Sequence, residues 1–285
     1  CNTDYQALRN SPIPCKIQLG KELTAGHGAG NNPAMGEKSA QENLADIEAI
    51  LKKDTRMAFI TAAMGGGTGT GAAPVIARLS KDMGILTVGI VSVPARFEGP
   101  KRLDQARDGL RRLKDHVDCL IVIDNEKIKS IYGSQTISQA FAKANDVLNI
   151  AAKGIAEIIT LPGYINVDFA DVRTVMTDSG VAIMGAAQAS GEDRAIRAIT
   201  EALESPLLNN NDILGAKDIL LNITSGTDEI TMDEMSQITS HIIRKVGNNA
   251  AVIWGVGTDP DLGDAVSVTI IATGFPTGDI ELFGE

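Results

Sequence analysis

Across the first 125 residues, short runs of aliphatic and β-branched residues alternate with stretches whose apolar positions recur every three or four residues. The runs KIQLG (16–20), RMAFITAA (56–63), ILTVGIVSVP (85–94) and CLIVIDN (119–125) read as strands. Between them, residues 36–53 put Ala40, Leu44, Ile47 and Leu51 on one stripe, and residues 100–115 do the same with Leu103, Ala106, Leu110 and Leu113. That spacing predicts helices with one apolar face each. Strands alternating with such helices predict βαβ units stacked in a parallel, Rossmann-like α/β sheet. The opening CNTDYQAL reads as a strand end running into an Asx-type turn.

From residue 136 to 159, Ile137, Phe141, Ala144, Val147, Leu148, Ala151, Ile155, Ile158 and Ile159 spread over more than one stripe. This predicts a long central helix buried on several sides. LPGY (161–164) stops it, because a residue before proline avoids the helical region and Gly163 tolerates positive φ. Beyond lie a strand-like stretch (173–185), a helix (191–203), a strand (218–225), a helix (231–246) and strands at 250–256 and 265–272. The order predicts a second domain of α/β or α+β type. The domain reading is thus 1–134, a central helix 135–162, a second domain 163–275, and the start of a linker at 276–285.

Composition narrows the function classes. The chain has 285 residues, 44% hydrophobic and 22% charged, the profile of a globular protein. Aromatics are scarce at 4% and the net charge is −10, which argues against a nucleic-acid surface that neutralises phosphates and stacks bases. Cys1, Cys15 and Cys119 share no metal-ligand or redox spacing and read as free thiols of a reducing, cytoplasmic compartment. No apolar stretch approaches the roughly 20 residues of a membrane span, so direct insertion into a membrane is not expected.

The chemistry concentrates in MGGGTGTGAAP (64–74), which joins a strand to a helix. Five glycines in seven residues let the chain take positive φ repeatedly and turn successive N–H groups on one anion. The following helix, with Ala72, Ala73 and Pro74 in its first turn, adds the positive end of its dipole, and Thr68 and Thr70 add hydroxyls. Phosphate is therefore the predicted ligand. The P-loop is absent, since Ala72 stands where its Lys would follow Gly71. A dinucleotide fingerprint would need a carboxylate at the end of the next strand, where IVSVPAR has none.

The string GGGTGTG (65–71) resembles the signature of the tubulin/FtsZ family in its bacterial form. FEGPKR (97–102), AFAKANDVL (140–148) and NVDFADV (166–172) are similar to three further stretches of that family, in the same order. The likeness runs from NTDYQAL to IATGF (271–275). It implies a cytoplasmic, assembly-dependent GTPase that binds GTP or GDP with Mg²⁺, polymerises head to tail with itself, and organises the bacterial division septum at mid-cell. Membrane tethers and regulators would be recruited through a C-terminal tail beyond this sequence.

The resemblance also implies roles for residues. Gly65, Gly66, Gly67, Thr68, Gly69 and Thr70 would hold the phosphates, with Glu98 and Arg102 on the nucleotide. Phe141 and Asn145, four apart on a helix and so on one side of it, would meet the guanine. Asn125, at the end of its strand, has a lesser part. Asn166, Asp168 and Asp171 would complete the active site of the next subunit in trans. Capping of a helix by the same polar residues is the plain alternative for this last group. A salt bridge at a helix start is the plain alternative for Glu98 and Arg102.

Departures from the family matter as well. Its members carry a strand and a first glycine-rich loop ahead of the segment matched by NTDYQAL, so the resemblance implies a fragment of a longer product, or a truncated form that binds nucleotide poorly. Ala95 stands where an aromatic residue is common. Two other readings remain: a dinucleotide oxidoreductase, short of its acidic ribose ligand, and a non-hydrolysing filament protein, which would be expected to lack the Asp168/Asp171 pair.

Overall fold

The computed structural model describes residues 1–160, 163–204, 213–247 and 250–275, apart from the side chains of residues 137, 141 and 144. The expected linker at 276–285 and the Leu161–Pro162 helix stop lie outside the described residues. The chain is an α/β protein with eight described strands, divided into two compact units, Cys1–Leu120 and Ile121–Glu285. No described helix is long and apolar enough to cross a membrane.

The first unit contains α1 (Tyr5–Asn10), α2 (Lys21–Thr24), α3 (Pro33–Glu42), α4 (Leu44–Leu51), β1 (Met57–Ala63), α5 (Thr68–Asp82), β2 (Leu86–Val93) and α6 (Pro100–Lys114), with β3 (Cys119–Asp124) straddling the division. β1 and β2 pair in parallel from Met57↔Leu86 to Ala63↔Ser92, with α5 as the crossover, as the strand–helix alternation predicts. Asn2 accepts a hydrogen bond from the Asp4 N–H at 3.1 Å, the expected Asx turn, and Asp4 caps α1 through Ala7 N–H.

Several boundaries differ from the sequence pattern, for physical reasons. KIQLG forms a single parallel bridge, Asn2↔Gln18, flanked by Asn2 N–H to Ile17 O and Leu19 N–H to Asn2 O, because its partner segment turns away at Asp4. The stripe over 36–53 is two helices: Pro33 opens α3 with Asn32 as its cap, and Asn43, at φ −110°, separates α3 from α4. Ala40 and Ile47 still meet in one core with Leu19 and Ala72.

β2 is buried along its whole length, whereas β1, equally apolar in sequence, is half-buried or exposed at every position. β1 stands at the edge of its sheet and pairs, among the described residues, with β2 alone. An apolar edge strand with one free row of backbone donors and acceptors is a pairing surface.

The second unit contains α7 (Asn125–Tyr132), α8 (Ile137–Thr160), β4 (Gly163–Ile165), α9 (Phe169–Met176), β5 (Gly180–Ala189), α10 (Arg194–Leu203), β6 (Asp218–Ser225), α11 (Met232–Val246), β7 (Ala251–Thr258) and β8 (Val266–Thr273). Its strands lie in the order β5-β8-β6-β7-β4, with β6–β7 parallel and the other pairs antiparallel. Ala195, Ala198, Ile199 and Ala202 of α10 and Ile238, Ile242 and Val246 of α11 recur at helical spacing and join the sheet residues Ile219, Leu221, Val268 and Ile270 in one core.

Three expectations are corrected here. α8 is buried along one stripe, Val147, Ala151, Ile155 and Ile158, while Ile150 is exposed. The strand-like stretch from 173 is the end of α9, and β5 begins only at Gly180. Gly163 does not take positive φ; it lets β4 approach β7, since a Cβ there would overlap the Val256 carbonyl.

Candidate functional site

In the first unit the glycine loop leads from β1 into α5, and the helix starts earlier than its composition suggests. Thr68 is the first helical residue, Gly67 the N-cap, and Pro74 lies inside the helix instead of in its first turn. The amides of that first turn therefore have no partner within the helix and point out of its positive end.

Backbone freedom explains only one of the five glycines. Gly65 has φ +95°, and the other four take ordinary negative or extended conformations, so the expected run of positive φ does not occur. Close packing explains three more. A Cβ at Gly71 would overlap the Pro33 carbonyl, one at Gly69 the Ala63 carbonyl, and one at Gly67 would sit 2.8 Å from Ala29 Cβ and from Asn32 N. Gly36 of α3 has the matching requirement, against the Gly67 carbonyl. α3 thus lies directly on the start of α5, backbone to backbone.

Gly66 differs from all of these. It is half-buried, and a Cβ there would meet nothing within 4 Å. The open space lies over the loop at the start of α5, where an anion would be received.

The threonines brace the loop. Thr70 is fully buried, and its hydroxyl oxygen accepts the Gly65 N–H at 2.9 Å. Thr68 shares a 2.7 Å hydrogen bond with Thr3, a residue with no signal in the sequence beyond its place in NTDYQAL. Arg102 is brought to the same loop, its backbone oxygen 3.0 Å from where a Gly65 Cβ would be. Its side chain donates to Glu98 Oε2 at 2.7 Å, while Glu98 Oε1 accepts the Ala95 N–H at 3.0 Å. Glycine loop, Glu98 and Arg102 are thus one cluster.

In the second unit, Asn125 opens α7 and does not end the preceding strand. β3 stops at Asp124, whose carboxylate caps α7 through Glu126 N–H at 2.8 Å. Asn125 Oδ1 is buried without a hydrogen-bond partner among the described residues. Asn145 is exposed on α8, one turn after Phe141, whose side chain is outside the described part.

The NVDFADV loop is held by hydrogen bonds from its own side chains. Asp168 is the N-cap of α9 and accepts the Asp171 N–H at 2.9 Å, and Asp171 accepts the Asp168 N–H at 3.1 Å, a reciprocal capping box. Asn166 accepts the Gly163 N–H at 2.8 Å instead of capping the helix. Each aspartate engages one oxygen in this way, and among the described residues the second oxygens, Asp168 Oδ2 and Asp171 Oδ1, accept no hydrogen bond. Capping and a second role are compatible.

The same unit holds a buried charge that no spacing signals in advance. Arg194, 5% exposed, donates to Glu234 Oε1 at 2.7 Å and Oε2 at 3.3 Å, and to the backbone oxygens of Asp228, Glu229 and Asp264 at 3.0, 3.1 and 2.7 Å. The Asp228 carboxylate lies 2.9 Å from the same guanidinium. Hydrogen bonding from Arg194, against the opposing effect of burial, holds the Glu234 carboxyl down at about 2 from 4.5. No group of three or more His, Cys, Asp or Glu among the described residues could hold a metal ion.

Comparison with known proteins agrees with this geometry. Residues 1–133 match the model of the Tubulin/FtsZ family GTPase domain, and residues 180–276 that of the FtsZ family C-terminal domain. The chain is 49% identical over 277 residues to "Cell division protein FtsZ" of Porphyromonas gingivalis, covering 96% of this chain and 60% of that protein. It is 48% identical to the protein of the same title from Buchnera aphidicola, covering 97% of this chain and 71% of the other. Among solved structures it superposes on "FtsZ dimer, empty (M. jannaschii)" with a TM-score of 0.90 at 43% identity, over 98% of this chain and 80% of that one. A GDP-bound CetZ1 monomer from Haloferax volcanii, at 21% identity and a TM-score of 0.79, shares the fold. With a glycine loop opening α5, an aspartate capping box opening α9, and relatives near 48% identity over almost its whole length, the chain belongs to the FtsZ family.

Proposed function

We propose that this chain is a GTP-binding and GTP-hydrolysing subunit of a head-to-tail homopolymer that forms the bacterial division ring at mid-cell. The observation that carries the reading is the open space at Gly66, in a loop that opens α5 and that Arg102, paired with Glu98, meets at the adjacent Gly65. In this reading the stretch to residue 134 holds the nucleotide, with Gly65, Gly66, Gly67, Thr68 and Gly69 around its phosphates and Thr70 bracing the loop from beneath. Phe141 and Asn145 take the base, with Asn125 in a lesser part. The open edge of β1 supports a further strand supplied from outside residues 1–285. Mg²⁺, the cation expected with GTP in this reading, would supply charge neutralisation at the phosphates held by the glycine loop.

Hydrolysis follows from assembly. Phosphoryl transfer depends on positioning and charge stabilisation, and a group supplied in trans is worth about 10³–10⁵ in rate in other GTPases. The free oxygens of Asp168 and Asp171, with Asn166 holding their loop, are presented by one copy to the nucleotide on the next. A role in the division ring is supported by the names of the relatives, which are cell division proteins, and membrane tethers and regulators belong to the same proposal.

GTP turnover measured against protein concentration tests it. Specific activity should rise where filaments sediment, and a flat specific activity across that range overturns the reading. A parallel titration with labelled GTP, in residues 1–285 and in the full gene product, should show weaker binding in the shorter chain; equal affinity removes the role given to the β1 edge.

A further inference from the structure

β4 is a three-residue strand that pairs with β7 only at Gly163↔Gly257 and Ile165↔Val256, with an irregularity between them. The residue at that irregularity is Tyr164, 72% exposed, whose hydroxyl donates to Glu229 Oε1 at 2.9 Å. Glu229 stands on the loop between β6 and α11, and that loop is fixed from within: Arg194 holds the backbone oxygens of both Asp228 and Glu229. The phenol is therefore tied to a rigid point. Hydrogen bonding to Glu229, and then its charge, raises the Tyr164 pKa, which keeps the phenol a donor.

Apart from that tie, the β4 end of the loop has three restraints, while the capping box and the buried Val172 and Met176 of α9 hold its other end. Its backbone is paired at Gly163 and Ile165, Asn166 closes back on Gly163 N–H, and Val167 is buried against Gly255. All three lie along β4 and β7, on one side. Tyr164 adds a restraint to a different element, the β6–α11 loop, two to four residues before Asn166 and Asp168. An exposed hydrogen bond contributes little to overall stability. Its effect is on where the loop stands.

We propose that Tyr164 and Glu229 are positioning residues for nucleotide turnover: they set the place of the Asn166–Asp171 loop, and thereby of the free oxygens of Asp168 and Asp171, against the neighbouring copy. The inference rests on the trans-acting role proposed above for those aspartates. Arg194 acts one step behind, by fixing the loop that carries Glu229.

Full-chain protein carrying Tyr164→Phe, Glu229→Ala, Glu229→Gln and the double change Tyr164→Phe/Glu229→Ala tests this, with GTP turnover normalised to sedimented filament. Tyr164→Phe should lower normalised turnover about tenfold, leaving labelled-GTP affinity and melting temperature at wild-type values. Glu229→Ala should match it, the double variant should lose no more than either, and Glu229→Gln, whose amide oxygen still accepts from the phenol, should recover most of the rate. Wild-type normalised turnover in Tyr164→Phe, or a loss that tracks filament mass alone, overturns the positioning role. Asp168→Asn serves as the control for the underlying reading. If it hydrolyses GTP as wild type does, the trans-acting role fails and this inference with it; if it is inactive while Tyr164→Phe is not, only the inference fails.

Discussion

Two loops of this chain, Gly65–Thr70 and Asn166–Asp171, each join a strand to the start of a helix, and they are built by opposite means. The first is shaped by what is missing: at Gly67, Gly69 and Gly71 the absence of a Cβ lets backbone lie on backbone, and only Gly65 uses a positive φ. The second is shaped by what is present, since Asp168 and Asp171 each accept a backbone N–H of their own loop and Asn166 accepts that of Gly163 in β4. The contrast teaches that neither glycine count nor capping chemistry measures function directly. Two of the five glycines, Gly67 and Gly71, answer to α3 and its N-cap and one, Gly69, to β1, and the capping aspartates still have an oxygen to offer.

The largest effect should come from the buried Arg194, which fixes the β6–α11 loop that Tyr164 reaches from beside the second loop. Arg194→Met leaves Glu234 and three backbone oxygens without their donor, and should cost about 4 kcal/mol, read by denaturant unfolding. The same pair gives the protein an acid-sensitive side. Because the Glu234 pKa is lowered from 4.5 to about 2 in the folded state, its contribution is complete above pH 4.5 and is lost as pH falls from 4.5 toward 2. Glu234→Gln should flatten that part of the stability profile.

Gly71→Ala comes next. The atoms in its way are backbone atoms of Pro33 and Glu37, so α3 itself must move, at a cost of about 3 kcal/mol in a thermal melt. Asp168→Ala should cost about 1 kcal/mol through loss of the cap. Asp168→Asn sharpens the comparison, because an amide oxygen keeps the cap while the charge goes. Its melting temperature should stay close to wild type as GTP turnover falls. Gly66→Ala should be the mildest for the fold, within about 0.5 kcal/mol, since the new methyl enters open space. Labelled-GTP affinity should nonetheless drop, and an unchanged affinity would place the phosphates elsewhere.

Much of the architecture was legible because the signals are local. β6 spans the residues its alternation marks, α10 and α11 follow their 3.6-residue stripes, and α8 starts within a residue of its pattern. Errors fell where neighbours decide. KIQLG has strand composition but only one bridge, because a strand exists by virtue of a partner across from it. α7 was not anticipated, since its short polar turn is set off by the Asp124 cap.

The candidate site divides in the same way. That a glycine loop joins β1 to α5, and that carboxylates open a helix after LPGY, followed from residue types and spacing in the sequence itself. Which glycine has open space in place of a side chain, that Thr70 braces the loop at Gly65, and that Arg194 fixes the loop to which Tyr164 is tied were decided only by tertiary structure. The physical reason is range. Spacing along a chain records the neighbours that turn and helix geometry impose within a few residues, whereas a missing Cβ or a buried guanidinium takes its meaning from groups that folding brings up from 34 or more residues away, as Pro33 and Glu37 of α3 come to Gly71 and Asp228 to Arg194.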